Sequence, residues 1–110
     1  MSISHKFEEI ENLAKPLMSL LEDRKKWTSH RQDIIDQFKL LKNKLKQLYN
    51  KYKSNKGTES ISEDEEIIFI PFLVDAYTGM KTRIGDSPSD KMLSDVYDVL
   101  DYLSYWKGQI

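Results

Sequence analysis

The chain lacks several residue types that would point to particular chemistries. Its 110 residues include no cysteine, so disulfides and thiolate metal sites are excluded, which fits an intracellular protein. The four glycines, at positions 57, 79, 85 and 108, are too far apart to form a loop that cradles a phosphate. The longest nearly apolar run, 67–74, is interrupted by Pro71 and is too short to span a bilayer.

The remaining composition is typical of a globular helical protein. Apolar residues make up 39% of the chain and charged residues 32%. A chain of this length can bury one modest core, so we expect a single domain over residues 1–110. The first residues lead into amphipathic sequence rather than a continuous apolar stretch, which predicts no signal peptide and a cytoplasmic location.

Apolar side chains recur at alternating intervals of four and three residues, the period of a helix that buries one stripe. The first stripe consists of Ile3, Phe7, Ile10, Ala14, Leu17 and Leu21. The second consists of Ile34, Phe38, Leu41, Leu45, Leu48 and Tyr52. The third consists of Met92, Val96, Val99, Leu103 and Trp106. These stripes predict helices near 3–26, 29–54 and 88–107.

Two stretches between the stripes leave more than one interpretation open. Around Trp27 the apolar phase slips by one residue, and the capping-box pattern that begins at Ser29 favours a break between two helices over one continuous helix. The run 67–74 has the β-branched and aromatic content of a strand, but no other segment could pair with it. A second capping box at Ser62 therefore favours a helix over 62–78, bent at Pro71.

Four amphipathic helices joined by short connections bury their stripes together most simply as a bundle. We therefore predict an all-α, single-domain antiparallel four-helix bundle that begins with a long helical hairpin.

Charge is divided unevenly along the chain. Residues 1–56 carry a net charge of +6 and residues 57–110 a net charge of −7. The segment 37–58 contains seven lysines and no acidic residue. Placed on the helix that bears the second stripe, most of these lysines fall on the side away from the apolar residues. The predicted partner-binding residues of this surface are Lys39, Lys42, Lys46, Tyr49, Lys53 and Lys56. An exposed Tyr105 on the last helix is a further candidate.

A lysine-rich helical surface is compatible with several functions. It could simply solubilise the bundle, with the lysine stems covering apolar neighbours. It could attract an acidic protein, a nucleic acid or an anionic membrane surface. Nucleic acid is less favoured because the chain has only three arginines, and arginine is the side chain that best forms bidentate hydrogen bonds with bases and phosphates. The apolar stripes could also serve self-association into a larger assembly.

No pattern in the sequence indicates catalysis or a bound cofactor. The two histidines, His5 and His30, should lie at opposite ends of the hairpin, which argues against a shared metal. The aspartates at 95, 98 and 101 are spaced along one outer arc of the last helix and are expected to be solvated. We therefore expect a small non-enzymatic protein without cofactor or metal, acting as a regulator, inhibitor, immunity factor or adaptor whose basic helical surface engages an acidic protein partner.

Overall fold

The computed structural model describes residues 3–54, 62–82, 88 and 90–110. Within these ranges the chain forms α1 (Ile3–Glu22), α2 (Arg24–Ser29), α3 (Arg31–Ser54), a π-helical turn (Glu65–Phe69) that continues into α4 (Ile70–Gly79), and α5 (Asp90–Lys107). The four long segments pack as the predicted antiparallel bundle.

Each long helix has two neighbours in the bundle. Helix α1 packs between α3 and α5, and α4 packs between the same two helices on the opposite side. The contacts of α3 with α4 show their opposed directions: the ring of Tyr52 meets Phe69 at the start of α4, whereas Lys42 reaches Thr82 beyond its end. The resulting body measures 46 × 25 × 20 Å.

The apolar stripes form the core. Each residue of the first stripe is buried, and so are Ile34, Phe38, Leu41 and Leu45 on α3. Three phenylalanine rings fill the end of the bundle where α1 begins, with Phe7 packed edge-on against Phe69 and Phe72 at 5.3 and 5.0 Å between ring centres. Edge-to-face pairs of this kind are favourable beyond the area that they bury.

The hairpin turns through a short separate helix rather than a simple loop. Helix α1 ends at Glu22, earlier than the predicted 26, and the Asp23 carboxylate caps α2 by accepting the Lys25 N–H at 2.9 Å. The Trp27 indole N–H donates to the Leu21 carbonyl at 2.6 Å, satisfying an acceptor that the end of α1 leaves free. The predicted capping box at Ser29 does not form, because that hydroxyl donates back to the Lys25 carbonyl.

The ambiguous run 67–74 is helical. Glu65 N–H donates to the Ser62 hydroxyl at 3.1 Å, which is one of the two bonds that the capping-box pattern predicts. The Glu65 carboxylate accepts from the Ser62 hydroxyl at 3.0 Å, whereas the pattern predicts the Ser62 backbone N–H as its donor. The turn before Pro71 is π-helical, with the Ile70 N–H bonded to the Glu65 carbonyl. Proline lacks an N–H and crowds the preceding turn, and a wider π turn relieves that crowding.

The predicted solvated arc of aspartates on α5 is only partly exposed. Asp95 is buried and its carboxylate accepts the Thr82 N–H at 2.8 Å, which fixes the chain just beyond α4. Asp98 is half-buried and Asp101 is exposed. The expectation for Asp95 was wrong because helical spacing does not reveal a backbone donor from another segment.

Candidate interaction surface on α3

Three of the predicted lysines form a row along the outside of α3. Lys39, Lys46 and Lys53 are exposed and follow each other at intervals of seven residues. Seven residues are two helical turns, so their attachment points are about 10.5 Å apart along one side of the helix. Among the described residues, no carboxylate lies within ion-pairing distance of these three ammonium groups.

The other predicted residues of this surface are placed differently. Lys42 is half-buried and donates to the Thr82 carbonyl at 2.7 Å, so it ties α3 to the chain after α4. Tyr49 is half-buried, and its ring lies 5.1 Å from that of Tyr77 on α4. Lys56 lies outside the described residues. The continuous surface predicted from the sequence is therefore narrower, because Lys42 and Tyr49 belong to the contact between α3 and α4.

Several other lysines pair with carboxylates of the bundle. Lys6 meets Glu65 at 2.8 Å, and Lys44 meets Glu9 at 3.3 Å. Further pairs join Lys15 and Lys107 to Glu11, at 3.5 and 3.8 Å. Lys6, Lys44 and Lys107 thus link different segments, whereas Lys15 pairs within α1. The lysine row of α3 meets no described carboxylate, and its Lys53 ammonium lies 5.9 Å from the centre of the Tyr49 ring.

An apolar side chain interrupts the polar outside of α3. Leu40 is 58% exposed, the largest exposure of any leucine among the described residues. It borders a shallow groove between α1 and α3, together with Leu13, Asn43 and Gln47. The stem of Lys46 lines the same groove. An exposed leucine beside lysine and amide groups offers both an apolar contact and hydrogen-bond donors to a docking partner.

Tyr105 belongs to a different side of the molecule. It is 61% exposed on α5, as predicted, and its ring meets Trp106 edge-on at 5.0 Å. Helices α3 and α5 occupy opposite corners of the bundle, each next to α1 and α4. The lysine row and Tyr105 therefore cannot belong to one compact contact surface, and the exposed Asp101 lies with Tyr105 rather than with the lysines.

A polar cluster at the end of the bundle was not predicted from the sequence. Lys6 of α1, Tyr52 of α3 and Glu65 converge there: the ammonium group donates to both oxygen-bearing side chains, and the Tyr52 hydroxyl donates to the Glu65 carboxylate. The Lys6 ammonium also lies 5.7 Å from the centre of the Phe69 ring. Sequence spacing could not find this cluster because its members are far apart in the chain.

Hydrogen bonding determines how these groups titrate. Burial acts to raise the pKa of the Glu65 carboxyl, but hydrogen bonds from three side chains outweigh it and lower the pKa to about 2. Burial acts to lower the pKa of Lys6, yet its bonds to Glu65 and Tyr52 leave that pKa raised. Burial and the bond to Glu65 raise the pKa of Tyr52. The cluster is thus held as an ion pair bridged by a neutral phenol.

The described part of the chain contains no group of three or more metal-ligating side chains. Nor does any helix in it combine the length and apolar character needed to cross a membrane. Searches for similar proteins found no matching family model, no matching curated protein and no matching solved structure.

Proposed function

We propose that this protein is a small non-enzymatic binding protein that docks the outside of α3 on an acidic protein surface. The observation that carries the proposal is the row of Lys39, Lys46 and Lys53, whose charges meet no carboxylate of the described bundle. Regulators, inhibitors, immunity factors and adaptors all act by such contacts. The cytoplasmic location remains a prediction from composition.

Charge and shape would have separate roles in this contact. The lysine row would attract a partner with carboxylates at a matching spacing, which raises the association rate more than the final affinity. Leu40 would then supply the apolar contact, because an apolar side chain that loses its water on binding stabilises the complex once the partner is in place.

A protein partner fits this surface better than a nucleic acid. Leu40 lines a groove together with Lys46, and a phosphate backbone would gain nothing from this apolar side chain. Arginine is the side chain that best binds phosphates and base edges, and the chain has only three. One of them, Arg24 at the start of α2, is paired with Asp90 at the start of α5.

The proposal is tested by affinity capture with matched variants. The chain is immobilised as wild type, as Lys39→Gln/Lys46→Gln/Lys53→Gln, and as a control in which three lysines outside α3 are changed, Lys25→Gln/Lys26→Gln/Lys91→Gln. We expect the wild type and the control to retain an acidic protein. The triple variant of Lys39, Lys46 and Lys53, called the α3 variant below, should not retain it. A captured protein that all three retain equally would contradict the proposal.

Nucleic-acid binding is the alternative outcome, and it has a distinct signature. Fluorescence anisotropy with duplex DNA, single-stranded DNA and structured RNA measures it at low and near-physiological salt. Binding that persists at the higher salt and disappears in the α3 variant would replace the protein partner with a polyanion.

A further inference from the structure

Helix α4 carries an exposed apolar stripe on a side that none of the other described helices covers. Ile67 is 54% exposed and Val74 40% exposed, with Pro71 half-buried between them. These residues are spaced by four and three, so they form one ridge along the outside of the π turn and α4. Large apolar side chains left outside a bundle in a row are typical of a contact surface.

The two ends of this ridge have opposite charge. Three exposed carboxylates precede it, on Glu63, Asp64 and Glu66. Beyond its other end lies the exposed Lys81. The ridge is therefore acidic at one end, apolar in the middle and basic at the other end.

A surface with this arrangement is complementary to itself when turned end over end. The midpoint of the segment 63–81 falls next to Pro71, within the apolar stretch. A two-fold axis at that point would place the apolar residues of two copies against each other. It would also place the acidic end of each copy opposite the basic end of the other. A parallel arrangement would put like charges together.

We propose that two copies of this chain associate through α4 in this antiparallel, two-fold arrangement. The inference is independent of the proposed function, because it uses α4 and leaves the lysine row of α3 exposed. One helix face is a small interface, so the dimer is weak, with a dissociation constant in the micromolar range or above.

Sedimentation equilibrium tests the dimer over chain concentrations from ~10 to ~500 µM, a range set by that affinity. We expect the weight-average mass to rise from 13.0 kDa toward twice that value. Val74→Glu should keep the mass at that of one chain across the range. Leu40→Glu, which changes an even more exposed apolar residue on α3, should leave the association unchanged.

A charge exchange tests the antiparallel register. Glu66→Lys alone and Lys81→Glu alone each place like charges at both ends of the interface, so each variant should associate at least fivefold more weakly than the wild type. An equimolar mixture of the two variants restores opposite charges at both ends and should associate as the wild type does. The mixture also answers the concern that a single variant fails to fold.

A wild-type mass that stays at one chain up to the highest concentration would overturn the proposal. So would a dimer that tolerates Val74→Glu, or variants whose mixture associates no better than either alone. Lys39→Gln/Lys46→Gln/Lys53→Gln should still dimerise, so failure of the α3 surface and failure of the α4 surface give different results.

Discussion

Two carboxylates hold the two ends of α4 in different ways. Glu65 receives hydrogen bonds from a lysine, a tyrosine and a serine at the start of the helix, and it remains partly accessible, with 23% of its side chain exposed. Asp95 is buried and receives a backbone N–H just after the end of α4. Charged acceptors make stronger hydrogen bonds than neutral ones, so each carboxylate stabilises its end of the helix.

The lowered pKa of Glu65 predicts a specific dependence of stability on pH. Because the folded-state pKa of about 2 lies below the ordinary 4.5, Glu65 contributes stability above pH 4.5 and loses it as the pH falls toward 2. We expect Glu65→Gln to lower the free energy of unfolding by about 2–3 kcal/mol at pH 7. The difference between variant and wild type should shrink as the pH falls below 4.5 and be mostly lost at pH 2.

Urea unfolding at a series of pH values measures this difference. Glu63→Gln provides the control, since Glu63 is exposed and adjacent in sequence, and it should change stability by less than about 0.5 kcal/mol at every pH. A constant gap between wild type and Glu65→Gln from pH 7 to pH 2 would show that the carboxylate charge is not what stabilises the cluster.

At the scale of the element, one side of α3 packs in the bundle and the other side faces solvent. Its buried side fills the core between α1 and α4, and its flank contributes Lys42 and Tyr49 to the contact with α4. Its outside carries the lysine row and Leu40. The helix therefore packs against α1 and α4, which sets the orientation of its exposed side toward a partner.

Neighbouring leucines of α3 test this orientation. Leu41 is fully buried and Leu40 is 58% exposed, although the two are adjacent in the chain. We expect Leu41→Ala to destabilise the protein by about 2–5 kcal/mol, because it leaves a cavity in the core. Leu40→Ala should change stability by less than about 0.5 kcal/mol. Chemical denaturation measures both, and equal losses would contradict the placement of Leu41 in the core and Leu40 on the surface.

At the scale of the whole molecule, the lysines divide into two groups. One group, which includes Lys6 and Lys44, pairs with carboxylates of other segments and holds the bundle together. The other group is the row along α3, which points away from the acidic residues of α5 because α3 and α5 lie at opposite corners. The fold thus leaves the lysine row of α3 and the exposed Asp101 of α5 on separate sides of the bundle.

This division predicts different effects of neutralising the two groups. Lys39→Gln/Lys46→Gln/Lys53→Gln should change the free energy of unfolding by no more than about 0.5 kcal/mol, as exposed unpaired charges do. Lys6→Gln should cost about 1.5–3 kcal/mol, because it removes charged hydrogen bonds from a partly buried cluster. Thermal unfolding followed by circular dichroism compares them; a triple variant less stable than Lys6→Gln would assign the row a structural role.

The pattern of the sequence alone determined the helices and most of the core. Burial stripes have the helical period of 3.6 residues, and that period depends only on local geometry, so Ile10 or Leu45 could be assigned to the core without knowing the fold. The capping signal at Ser62 is equally local, and its bond from the Glu65 N–H to the Ser62 hydroxyl was predicted correctly. The ends of the helices were predicted less accurately. The short α2 was not predicted, because its apolar stripe is missing and it is held by the Asp23 cap and by the bond from the Trp27 indole to the Leu21 carbonyl.

Only the tertiary structure decided which polar side chains are available. Lys39 and Lys42 are chemically identical and one turn apart, yet one is exposed and the other is bound to the Thr82 carbonyl, 40 positions away in the chain. The buried Asp95 carboxylate likewise accepts the N–H of Thr82, which lies outside its own helix. The hydrogen bond from Lys6, on a different helix, is the largest of the effects that lower the pKa of Glu65. Long-range hydrogen bonds and ion pairs depend on how the helices pack against each other, and helical periodicity does not determine that packing.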